Sequence, residues 1–204
     1  MSGQIEVRRR GRPRAYDVDV ATAAALDVLW VKGYEGTTIE DLLAATGLAL
    51  SSLYAAFGSK RGMMEAALAR YSRDRVAQLA PLEHGTRGLD DIHAFLAGLR
   101  AGLADPGGRG CFMVNSSAGA AAYDGQIAVL VTRYRERIRT GLAAALRRAI
   151  EAGEIDAGPA DPDERARVLQ AALFGAQLAA RSGATQDATA TLTALEHLLD
   201  TWRR

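Results

Sequence analysis

Cysteine is nearly absent, with Cys111 alone in a chain of 204 residues, which excludes an internal disulfide and any multi-cysteine metal site. Proline is scarce at five residues, and aromatic side chains make up only 6%. The β-branched and aromatic residues that favour strands are outnumbered by Ala, Leu and Arg. Because Ala and Leu lose little side-chain freedom on a helix, the expected fold class is all-α. No stretch supplies the roughly 20 uncharged apolar residues of a membrane span, and the basic start is not followed by the apolar core of a signal peptide. A cytoplasmic protein with no membrane contact is therefore expected. Nothing points to a cofactor or a metal. What is plentiful is apolar surface, at 49% of residues, enough to bury a substantial core in one large domain or in a small and a larger one.

Lysine is also rare, confined to Lys32 and Lys60, so basic charge is carried by arginine. The net charge of +1 hides an uneven distribution: residues 1–15 hold Arg8, Arg9, Arg10, Arg12 and Arg14 against Glu6 alone. An arm of this composition, broken by Gly11 and Pro13, is unsuited to a core and suits a flexible tail drawn to phosphate or to a minor groove. A merely solvated tail is the plain alternative.

Apolar residues Val18, Ala21, Ala25 and Leu29 recur at helical spacing, with Asp17 able to cap the helix and Gly33 to end it. Thr37 and Thr38 precede a short helix over Ile39–Thr46, with acids in its first turn. Gly47 stops that helix, a second short one spans Ser51–Phe57, and a third starts near Ser59 and runs through Tyr71. Two short helices joined by a tight, glycine-containing turn are the helix-turn-helix plan. Small Ala44 and Ala45 are expected to let the two helices approach, with Leu29, Ile39, Leu53 and Phe57 in the core. From Tyr71 to Arg87 the pattern is less regular, and Pro81, His84 and Gly85 mark a break. Further helices are expected over Leu89–Leu103, Cys111–Ala122, Gln126–Ala152, Pro162–Arg181 and Thr185–Trp202, about nine in total. The division is thus a basic arm over 1–15, an N-terminal three-helix unit holding the helix-turn-helix over 16–70, and a larger helical domain over 71–204.

Several short motifs agree in order and spacing: Gly11-Arg12-Pro13-Arg14, Lys32-Gly33-Tyr34-Glu35-Gly36-Thr37-Thr38-Ile39, Gly47, and Ser52-Leu53-Tyr54 followed by Phe57-Gly58-Ser59-Lys60. Together they resemble the DNA-binding region of TetR-type transcriptional regulators, over about residues 12 to 70. The resemblance implies a helix-turn-helix that grips double-stranded operator DNA, with Thr38, Tyr54 and Lys60 at phosphate-contacting positions. The remainder resembles the ligand-binding and dimerisation half of the same family, where sequence carries less information.

A helix-turn-helix places the N-terminal residues of its second helix near the base edges. Those are Ala49, Leu50, Ser51 and Ser52. The serines can bond bases or phosphates, and Ala49 and Leu50 can meet thymine methyl groups. No Arg, Asn or Gln on this helix offers a bidentate base contact, so Arg12 and Arg14 of the arm, or DNA shape, are expected to share in recognition. One such unit reads few base pairs. A homodimer on half-sites about 34 to 36 Å apart follows. Its interface is expected from the last two long helices, where Ala171, Ala172, Gly175, Ala176, Ala179 and Ala180 permit close approach and Leu173, Phe174, Leu178, Leu192, Leu195, Leu198 and Leu199 supply apolar area.

For the sensing half, the candidate pocket residues are Phe95, Leu99, Cys111, Phe112, Met113, Tyr134, Phe174 and Gln177, a set that favours a small apolar or aromatic effector. Arg133, Arg135, Arg137 and Arg139 form two i,i+4 pairs on different faces and are expected to stay solvated, which counts against a strongly anionic ligand. Gly110-Cys111-Phe112 resembles the Gly-Cys segment that opens the sixth helix in many TetR-type regulators, some of which sense oxidants or electrophiles through that cysteine. A thiol-based repressor using Cys111 is one alternative, and a helical ligand-binding module without DNA binding is another. Catalysis is not expected, since no spacing links Cys111 to His84, His93 or His197 in a nucleophile motif. The reading as a whole is a ligand-responsive repressor, with the helix running on from Lys60 as the lever between its two halves.

Overall fold

The computed structural model describes residues 16–103, 108–158 and 161–203; the arm with Arg12 and Arg14 lies outside them. The described residues form ten α-helices and no strand. Asp17 caps α1 (Val18–Gly36), accepting from the amides of Asp19 and Val20. The backbone leaves helical values at Gly33 (φ 74°, ψ 169°), so the helix proper ends at Lys32 and a single turn follows. Helix α2 (Ile39–Thr46) begins in a capping box, in which the Thr38 hydroxyl accepts from the Asp41 amide and the Asp41 carboxylate from the Thr38 amide. Gly47, at φ 66°, turns the chain in the left-handed conformation that a side chain would oppose. Helix α3 (Leu50–Phe57) starts one residue earlier than the sequence pattern indicates, with Ala49 as its N-cap. Ser59 caps α4 (Lys60–Asp74).

Leu29, Leu42, Leu53, Met63, Met64, Ala67 and Leu68 are sealed from solvent where α1 to α4 meet. Ala44 and Ala45, expected between the helices, are exposed. The neighbouring Leu42 fills that role instead, because a period of 3.6 residues turns the two alanines outward.

The main departure lies in the stretch read as irregular. Residues Val76–His84 form α5 even though Pro81 lies inside it. Arg148 donates to the carbonyls of Pro81 and Leu82, 3.3 and 3.1 Å away, and so satisfies the end that proline weakens. Helices α6 (Leu89–Leu103), α7 (Phe112–Ala118), α8 (Gly125–Glu151), α9 (Pro162–Arg181) and α10 (Thr185–Thr201) complete the chain, with a 3-10 turn at Ala120–Ala122. The count is thus ten where about nine were expected. None of the described helices is long and apolar enough to cross a membrane.

A DNA-facing surface and a walled cavity

Two candidate sites emerge at opposite ends of α4. The first is the outer face of the helix-turn-helix. Thr38, Ala49, Leu50, Ser51 and Tyr54 are exposed, and Ser52 and Lys60 are half-buried. Leu50 and Tyr54, at 48% and 44% exposed, are large apolar groups left outside a core that had room for Leu53. Lys60, at the first position of α4, holds its ammonium 4.5 Å from the Tyr34 ring centroid, so its stem is covered while its charge stays at the surface. Lys32 pairs with Asp41 at 2.6 Å, and that bond, with the amide of Thr38, lowers the Asp41 carboxyl below its ordinary range. The Tyr16 hydroxyl donates to the carbonyl of Ser52 at 3.0 Å. The chain just ahead of the Asp17 cap is thereby tied to α3.

The second site is a cavity of about 250 Å³ among α1 and α4 to α9. Six of the eight pocket candidates border it: Phe95, Leu99, Cys111, Tyr134, Phe174 and Gln177. Phe112 and Met113 do not; both are 2% exposed and pack in the core, with Phe112 against Trp30 and Tyr71 at ring distances of 6.0 and 5.9 Å. Residues one and two places along a helix from Cys111 point away from the wall that Cys111 faces.

Sequence reading missed the cavity's polar wall. Trp30, Tyr71, Arg75, Gln78 and Arg109 all line it. Trp30 belongs to α1 and looks like a stripe residue in the sequence, yet its indole N–H donates to the carbonyl of Arg109 at 3.0 Å. Arg109 in turn pairs with Asp27 of α1 at 2.8 Å and lies over the Trp30 ring at 4.3 Å. Gly110, at φ 62°, lets the segment pass α9 closely, since a Cβ there would stand 2.4 Å from the carbonyl of Gln177. Arg133, Arg135, Arg137 and Arg139 are not part of the wall. Arg137 and Arg139 are paired, with Glu83 at 2.8 Å and Asp163 at 3.2 Å, which corrects the expectation that they stay solvated.

Cys111 is the N-cap of α7, and its sulfur accepts a hydrogen bond from the Tyr71 hydroxyl at 3.3 Å. Burial pushes the thiol up; the Tyr71 hydroxyl, the amides of Val114 and Met113, and Arg75 only partly oppose it. Burial likewise raises Tyr71 and Tyr134. The thiolate that a sensing cysteine needs is therefore disfavoured in this geometry. None of His84, His93 and His197 borders the cavity.

The expected dimer surface divides in two. Leu173, Ala176, Ala180, Leu192, Leu195 and Leu199 are buried within the chain and are core; Ala172, Phe174, Ala179 and Leu198 are half-buried and packed against that core. Ala171, Gly175 and Leu178 on α9 are exposed, joined by Val168 at 58%. On α10 the outward residues include Ala190, Ala194 and His197. Spacings of three and four residues along α9 make one small-residue stripe, which sequence alone could not separate from the core-facing stripe beside it.

Two family models match the chain: bacterial regulatory proteins of the tetR family over residues 21–67, and the tetracyclin repressor-like C-terminal domain over residues 88–198. The HTH-type transcriptional repressor ComR of Escherichia coli (strain K12) is 34% identical over 190 residues, covering 90% of this chain and 89% of its own. Among solved structures, a cysteine mutant of the TetR family transcriptional regulator CifR, complexed with 26bp double-strand operator DNA, superposes with a TM-score of 0.80 at 29% identity, covering 94% of this chain and 100% of that one. A TetR transcriptional regulator from Chloroflexus aurantiacus J-10-FL gives a TM-score of 0.80 at 26% identity, covering 92% and 96%.

Proposed function

The chain belongs to the TetR family of bacterial regulatory proteins, and on that premise we propose that it is a dimeric repressor whose hold on a palindromic operator is relieved by a small molecule in the cavity. One observation carries this reading. Helix α4 starts at Lys60 on the outer face of the helix-turn-helix and ends beside Arg75 in the cavity wall. Its 15 residues make a rod of about 22 Å at about 1.5 Å per residue. Whatever alters the cavity acts on one end of a helix whose other end holds Lys60.

On the operator, Ala49, Leu50, Ser51 and Ser52 at the start of α3 face the major groove, while Thr38, Tyr54 and Lys60 hold phosphates on either side. Thr38 already accepts from the Asp41 amide through its oxygen, which leaves its hydroxyl proton to donate. Since α3 lacks a bidentate base reader, the arm contributes Arg12 and Arg14 to recognition from the point where Tyr16 anchors it beside α3. Two copies associate through the exposed stripe of α9, Val168, Ala171, Gly175 and Leu178, and the outward face of α10. Ligand binding favours the dimer whose two reading heads no longer match the half-site spacing.

The test is selection of bound fragments from the source genome followed by gel shift with the recovered site. We expect a palindrome, with binding lost in Tyr54→Ala and Lys60→Ala proteins that still melt cooperatively. Equal affinity for scrambled and selected DNA would refute the reading. An effector that tightens binding would refute its polarity.

A further inference from the structure

The charge inside the cavity is unbalanced. Of the described residues that wall it, two carry a guanidinium, Arg75 and Arg109, and none carries a carboxylate. Arg109 has its counter-charge outside the wall in Asp27. Arg75 has none: no carboxylate of the described residues pairs with it, whereas Arg100, Arg137 and Arg148 are each matched to an acid. Its Nε is sealed from solvent without a hydrogen-bond partner. Among the described residues its charge is faced by Tyr71, through a hydrogen bond and with its ring centroid at 4.8 Å, by Trp30 with its ring at 5.9 Å, and by Tyr134 and Cys111. A half-buried guanidinium with neutral neighbours, no carboxylate partner and an unbonded Nε leaves hydrogen-bonding capacity unused in a region of low dielectric, which is unfavourable until an anion arrives.

Resting on the regulator reading above, we propose that the effector is a small aromatic carboxylic acid whose carboxylate pairs with Arg75 while its ring lies among Phe95, Leu99, Ile138 and Phe174. A planar carboxylate matches the two-nitrogen fork of a guanidinium, a geometry that a neutral amide or ester cannot reproduce with equal strength. A single negative charge completes the balance, because Arg109 is already engaged by Asp27. At about 250 Å³ the cavity falls below the roughly 300–1,000 Å³ usual for small-molecule sites, which favours one ring or two fused rings over a larger acid.

The position of Arg75 gives the acid a route to DNA. Arg75 is the residue at which α4 ends and α5 begins, and its amide donates to the Tyr71 carbonyl at 3.2 Å. A carboxylate that draws the guanidinium off the Tyr71 and Trp30 rings acts at the C-terminal end of α4 and, through Trp30, on α1. Both helices belong to the reading head.

Calorimetric titration of the full-length protein at neutral pH with benzoate, 1-naphthoate, 2-naphthoate and indole-3-acetate, each beside its primary amide, tests the assignment. We expect at least one acid to bind and to exceed its own amide by tenfold or more. Arg75→Gln should reduce that preference to less than threefold, and Arg75→Lys, which keeps the charge but not the fork, should restore part of it. Amides that bind as tightly as the acids, a series in which no acid binds, or an Arg75→Gln protein that keeps the preference would each overturn the proposal. Should Arg75→Gln fail to fold, the acid-against-amide comparison on the unaltered protein decides alone. Gel shift of the same preparation without ligand reads the regulator function separately: selective DNA binding with no preference for acids sinks only the acid.

Discussion

Lys60 offers a sharp test of the DNA-facing surface because its contribution should be read in salt rather than in affinity alone. Its ammonium rests on the Tyr34 ring at 4.5 Å at the first position of α4, where free amides already favour phosphate. In a dimer, Lys60→Gln removes two cation–phosphate contacts at once. Each neutralised phosphate contributes about 0.9 to the slope of log affinity against log salt, so the slope should become shallower by about 1.8. Raising salt from about 50 to 200 mM should then weaken the variant about twelvefold less than the parent, although the variant binds more weakly throughout. Fluorescence anisotropy with the selected operator at four or five salt concentrations measures both slopes. A variant with reduced affinity and an unchanged slope would mean that Lys60 supports the head without touching phosphate, and the contact assignment would be wrong.

Tyr54 should behave in the opposite way. Tyr54→Phe deletes a neutral donor at each half-site, worth about 0.5 to 1.5 kcal/mol apiece, so operator affinity should fall about 5- to 150-fold with the salt slope intact; a changed slope would contradict this. Leu53, fully buried between α3 and the rest of the head, should cost about 2 to 5 kcal/mol when cut to Ala, read by chemical denaturation; a loss under about 1 kcal/mol would place it outside the core. Stability should also depend on alkaline pH. Burial holds Cys111 above its ordinary value of 9.0, and Tyr71 and Tyr134 above 10.0. The unfolded chain therefore releases these protons first, so their share of stability is whole well below about pH 9 and declines as pH climbs past about 9 and 10 toward the raised values of the folded chain. Melting temperatures of the parent should drop more steeply across that range than those of a Cys111→Ala, Tyr71→Phe protein, and parallel curves would count against it.

The reading head was legible because its signals are local. Caps at Asp17 and Thr38, the turn at Gly47 and the register of Leu29 and Leu53 each depend on residues a few positions apart. Helix α5 was hidden because its support is remote: Pro81 reads as a break until Arg148, 67 residues along the chain, caps its carbonyl. The cavity was half legible for the same reason. Aromatic residues at helical spacing can be nominated from periodicity, but whether Phe112 or Phe95 faces the void depends on how α7 and α6 are rotated against their neighbours. Arg75 carried no signal, being one arginine among many in a segment without clear period. The stripe on α9 shows the limit most plainly: Leu173 and Leu178 are alike in sequence and face opposite ways.

Two hydrogen bonds tie the same stretch of α1 to the rest of the chain: the Trp30 indole to the carbonyl of Arg109, and Arg181 of α9 to the carbonyl of Val31 at 2.6 Å. They make the head a poor interchangeable part. An engineer who joins residues 1–70 of another regulator to this sensing half would keep α4 continuous yet lose the indole, the Asp27 carboxylate and the fit around Val31. Such a chimaera would bind its operator but answer its effector weakly, unless the graft carried Asp27 and Trp30 with it. The seam between the two halves is thus a surface to be matched and not a point to be cut.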